Sequence, residues 1–77
     1  MARLVPISAK KLIKILHHLG FQEIRRKGSH RFFLYPQAKK TTVVPDHGST
    51  DIPVGLLSDI LKDIDVTSRE FEDLRKL

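Results

Sequence analysis

The apolar residues of this chain keep a helical period near both ends and lose it in the middle. That change of period restricts the fold to helices packed on a small sheet. Leu12, Ile13, Ile15, Leu16 and Leu19 form one stripe at about 100° per residue. Lys10, Lys11 and Lys14 lie opposite, and His17 and His18 fall at the margins of the polar face. Ser8 reads as the N-cap of this Ala9–Leu19 helix and Gly20 as its stop. A second stripe, Val54, Leu57, Ile60, Leu61 and Ile64, is opposed by Asp59, Lys62 and Asp63. Pro53 suits the first turn of that helix, and Asp51 is the expected cap. Thr67-Ser68-Arg69-Glu70 spells a capping box for a short last helix with Phe71 and Leu74 as its apolar face.

Between the helical stripes the chain reads as three strands. Phe21–Lys27 is a strand with poor alternation and a basic run, Arg25-Arg26-Lys27. Gly28-Ser29 is a turn signal. His30–Tyr35, rich in aromatics, is the clearest strand, and Thr41–Val44 is a third, closed by Pro45. Pro36–Lys40 and the polar stretch Asp46–Asp51 are loops. The expected order is α-β-β-β-α-α: an α+β, two-layer domain with a three-stranded antiparallel sheet covered on one face by helices. Phe32 and Leu34 share a parity with His30, and packing against the helices is the default for them. Arg31, Phe33 and Tyr35 then point the other way, although the pattern alone leaves the covered face open.

With 77 residues one domain is expected, spanning 1–77, with a core over about 6–65 and a helical extension over about 67–77. There are no cysteines, so disulfides and thiolate metal sites are excluded and ordinary packing must hold the chain. Met1–Ile7 lacks the apolar core of a secretory signal, and Phe32–Tyr35 is far short of a membrane span. A cytoplasmic protein without membrane attachment is expected. The net charge of +5 favours polyanionic partners such as nucleic acid.

Neither a Gly-rich phosphate loop nor a zinc signature is present. Two segments carry the remaining chemistry: Gly28-Ser29-His30, where a turn feeds a strand, and Pro45-Asp46-His47-Gly48. Imidazole exchanges protons near neutral pH. Arg25, Arg26, Lys27 and Arg31 lie close to His30 in sequence and suit phosphate. RNA carries a 2′-hydroxyl beside each phosphodiester, so a base that deprotonates it creates an internal nucleophile without any metal. His30 in a basic cleft is therefore chemically sufficient for RNA cleavage. A single strand histidine more often only packs or hydrogen-bonds. His47 is either a second acid/base group, an orienting group or a plain loop residue. Gly28 and Ser29 either satisfy turn geometry or help to position a phosphate. The aromatics Phe32, Phe33 and Tyr35 are candidates for stacking bases.

The stretches Leu19-Gly20-Phe21, Arg26-Lys27-Gly28-Ser29-His30, Val43-Val44-Pro45-Asp46-His47 and Ile52-Pro53-Val54-Gly55, followed by Leu57 and Ile60-Leu61, carry a family resemblance. In order and spacing the chain resembles the HicA toxin family, small bacterial mRNA interferases paired with HicB antitoxins. The resemblance implies a double-stranded-RNA-binding-like fold, metal-independent endoribonuclease activity without a cofactor, and neutralisation by a HicB-type antitoxin. It maps the family's catalytic histidine onto His30, its flanking glycine onto Gly28 and its Pro-x-His loop onto His47 in a secondary role. A non-catalytic RNA-binding domain of the same fold is the alternative.

Overall fold

The computed structural model describes residues 3–48 and 50–77; Met1 and Ala2, at the start of the segment read for a signal, and Ser49, within the polar loop, lie outside the described residues. The element order is β1 (Ile7–Ser8), α1 (Ala9–Leu19), β2 (Gln22–Lys27), β3 (His30–Tyr35), β4 (Lys40–Pro45), β5 (Asp51–Ile52), α2 (Val54–Ile64) and α3 (Ser68–Leu74). The fold is α+β, with an antiparallel sheet in the order β2-β3-β4.

Local chemistry explains the boundaries of α1. The Ser8 side chain accepts from the Lys11 backbone N–H at 3.1 Å, satisfying one of the orphan donors of the first turn. Gly20 stops the helix in the left-handed region at φ 102°. Its N–H donates to the His17 carbonyl at 3.1 Å and that of Phe21 to the Leu16 carbonyl at 2.9 Å. The expected capping box at Thr67 is present: its hydroxyl accepts from the Glu70 N–H, and the Glu70 carboxylate accepts from the Thr67 N–H.

Two expectations are overturned. Asp51 does not cap α2. Residues 51 and 52 extend to pair antiparallel with Ile7–Ser8, with Ile52 buried, so Asp51 ends two residues short of the cap. Pro53 takes the N-cap position with no side-chain bond. Such a two-residue ladder has no periodicity for a sequence reading to detect.

The covered sheet face is also the opposite of the default. Phe33, Thr42 and Val44 are buried, whereas Phe32 and Leu34 are half-exposed. Phe33 lies under α1, its ring edge-on to His17 at 5.9 Å between centroids. It joins Leu12, Ile15, Leu16, Leu57, Ile60 and Ile64 in the core. The buried Thr42 hydroxyl donates to Asp63 of α2 at 3.0 Å, so α2 docks on β4 with that polar group satisfied. The default placed Arg31 on the open face with Phe33 and Tyr35. In the fold Arg31 stands at the rim of the covered face, where two carboxylates compensate it.

Candidate nucleic-acid interface

Cross-strand register decides which side chains share the open face of the sheet, since directly opposed residues point the same way. His30 is opposed by Lys27 on one side and Pro45 on the other. Phe32 is opposed by Arg25 and Val43, and Leu34 by Gln22 and Thr41. The ladder between β2 and β3 shifts between Glu23 and Arg25, leaving Ile24 as an extra residue that is 57% exposed. That bulge re-aims the strand. Glu23 opposes Phe33 on the covered side, yet Arg25 opposes Phe32 on the open side, and Lys27 follows it to lie beside His30. Arg26 falls on the covered-side parity opposite Arg31 but remains exposed, its Nε donating to the Gly28 carbonyl at 3.3 Å.

His30 is exposed at the first position of the central strand, immediately after the Gly28-Ser29 turn. Gly28 has φ 60°, and Ser29 does not share the positive φ, a pattern that fits a type II′ turn with glycine first. This two-residue hairpin leaves no slack between Lys27 and His30, so their side chains emerge from the open face side by side.

The Pro45–Gly48 segment reaches the same end of the sheet. The Asp46 N–H donates to the Ser29 carbonyl at 2.6 Å, tying this loop to the hairpin turn. The Asp46 carboxylate accepts from the Gly48 N–H at 3.2 Å and from Arg31 Nη1 at 2.9 Å. Arg31 also grips Glu23, with Nη2 to Oε1 at 2.6 Å. Its guanidinium thus spans from the edge strand β2 to the loop after β4. The Arg31 hydrogen bonds hold the Glu23 carboxyl below its ordinary range, and they hold that of Asp46 down with help from the Gly48 N–H. The two carboxylates hold the Arg31 proton more firmly in return. His47, on this loop, is exposed and two residues beyond the strand position opposite His30.

The structure therefore brings Lys27, His30, the Gly28-Ser29 turn and the His47 loop to one end of the sheet, with Arg25 one row further along. Arg31 is committed to carboxylates instead of standing free. Glu23 and Asp46, which organise that end, were not legible as Arg31's partners. They stand 8 and 15 residues from it in sequence. Among the described residues, no three His, Cys, Asp or Glu side chains come together as a cation site would require.

No curated protein matches the sequence. The family described as HicA toxin of bacterial toxin-antitoxin matches residues 9–66. The chain belongs to the HicA toxin family. The matched stretch of this HicA-family toxin begins at the first residue of α1, takes in the whole three-stranded sheet and ends just past α2. It includes His30 and His47 and leaves α3 outside. No helix of the described residues is long and apolar enough to cross a membrane.

Proposed function

We propose that this toxin is an endoribonuclease of the mRNA interferase type that needs no metal or other cofactor, acts in the cytoplasm, and uses His30 as its general acid/base. One observation carries the reading: His30 is exposed on the open face, at the head of the central strand and in one row with Lys27. A neutral imidazole there accepts the proton of an RNA 2′-hydroxyl as its oxygen attacks the adjacent phosphorus. The bond from phosphorus to the 5′-oxygen breaks, and that leaving oxygen takes up a proton. The products are a 2′,3′-cyclic phosphate and a 5′-hydroxyl. His47, on the loop held by Asp46, is our choice for the group that protonates the leaving oxygen or orients the phosphate, with the Ser29 hydroxyl as a lesser candidate.

Lys27 and Arg26 hold the RNA backbone, Arg25 adds an RNA contact one row along, and the Gly28 turn lets a phosphate approach the chain closely. Arg31, its donors taken by Glu23 and Asp46, contributes by fixing the strand and the His47 loop. A HicB-type antitoxin would neutralise the protein by bringing acidic groups to the same cations.

The test compares an RNA with its all-deoxy counterpart in buffer containing a chelator. The expected result is cleavage of the RNA to cyclic-phosphate ends, with the DNA intact. Cut DNA, or activity only on adding a metal, contradicts the mechanism. RNA that stays whole while binding in a salt-dependent way would instead favour a non-catalytic RNA-binding module.

A further inference from the structure

The open face holds a feature that backbone cleavage does not require. The Arg25 guanidinium carbon lies over the Phe32 ring, 4.7 Å from its centroid. Among the described residues Arg25 has no carboxylate partner, in contrast to Arg31. The β2 bulge at Ile24 is what turns Arg25 onto this face. Arg25 is exposed, so the side of its guanidinium away from the ring is open to a ligand, and nucleobases stack on arginine planes as on aromatic ones. Val43 flanks Phe32 on the far side, which gives a base an apolar border. The Arg25–Phe32 row is two residues along β3 from the Lys27–His30 row. Same-face neighbours on a strand lie about 7 Å apart, a reach of roughly one nucleotide of extended RNA.

We propose that Arg25, backed by Phe32, is a stacking platform for the base of a nucleotide flanking the phosphate at His30, and that it gives the enzyme a preference for purines there. This rests on the reading of the sheet face as an RNA site. Purines present the larger π-surface, so a stacking platform favours them, whereas a mere phosphate contact is indifferent to the base.

The probes are 2′-O-methyl oligomers of adenosine and of uridine, about ten nucleotides long, within the footprints of small single-strand binders. Lacking the 2′-hydroxyl nucleophile, they report binding independently of cleavage. The full chain should bind the adenosine oligomer about five- to tenfold more tightly than the uridine one, because the larger ring has more surface to stack. Arg25→Lys keeps the charge and removes the plane. It should bring the ratio close to one with the melting temperature little changed, and Phe32→Leu should do the same. An unchanged ratio in Arg25→Lys, a wild type that does not discriminate, or no binding to either oligomer overturns the proposal. If Arg25→Lys keeps its purine preference while unmodified RNA is still cut, the platform alone fails. If the preference disappears as expected but the wild type cuts no RNA, the nuclease reading alone fails.

Discussion

At the residue scale, Arg31 shows how a charge can occupy the covered parity of a strand. It stands directly opposite Arg26, an arrangement that is unfavourable by itself. Glu23 and Asp46 offset this with contacts at 2.6 and 2.9 Å, and all three side chains are only about a fifth to a quarter exposed. Both carboxyls are held below their ordinary values in the fold. Their stabilisation is therefore fully present above the pKa values of the unfolded chain and is lost as pH falls through the depressed folded values. Melting curves should be nearly flat through neutral pH and decline in the acid range. In Arg31→Leu the acid decline should be shallower, and stability at neutral pH lower by about 1–2 kcal/mol, between exposed and buried pairs. An equally steep acid decline in that variant would contradict the assignment. The strand start at His30 was legible because a Gly-Ser turn marks it, whereas the role proposed for His30 came from the family resemblance. The carboxylates that hold its surroundings were not legible, because long-range pairing leaves no local pattern.

At the element scale, caps and helical stripes are written locally and were readable. Ser8, Gly20 and Thr67 hold the places their chemistry suggests. The two-residue ladder of β1 with β5 and the bulge in β2 are set by tertiary register, and no period announces them. The bulge matters most, because it decides which of the three consecutive cations shares a face with His30. Gly20 couples helix to sheet. Its φ is 102°, and a Cβ there would stand 2.9 Å from Tyr35 Cε1. Gly20→Ala should destabilise the fold by about 1–2 kcal/mol from the backbone conformation alone. A denaturant midpoint equal to that of the wild type would show that the end of α1 relaxes freely.

At the scale of the whole molecule, the segment beyond the family match is part of the core. Phe71 of α3 is buried among the core residues. The Arg75 guanidinium donates to the Val5 carbonyl at 2.8 Å and also to that of Pro6, clasping the segment before β1. The sequence showed α3 and its apolar face but not this clasp, which joins residues at opposite ends of the chain. Phe71→Ala should cost about 3–5 kcal/mol, a large share of the stability expected for so small a domain. Under conditions where the variant remains folded, RNA cleavage should be unchanged, because none of the proposed site residues lies on α3. A selective loss of cleavage with the melting temperature preserved would give α3 a role in the site.

The fold leaves His30 exposed beside Lys27 on the open face of the sheet, and the proposed function makes it the group that moves the proton. The most direct test is single-turnover cleavage of RNA in chelator by the wild type and by His30→Ala, both shown to be folded and to bind RNA. If His30 moves the proton, the variant should lose about 100-fold or more in rate while keeping its affinity, the usual scale for a general acid/base group. A His30→Ala protein that cuts at the wild-type rate would contradict the assignment.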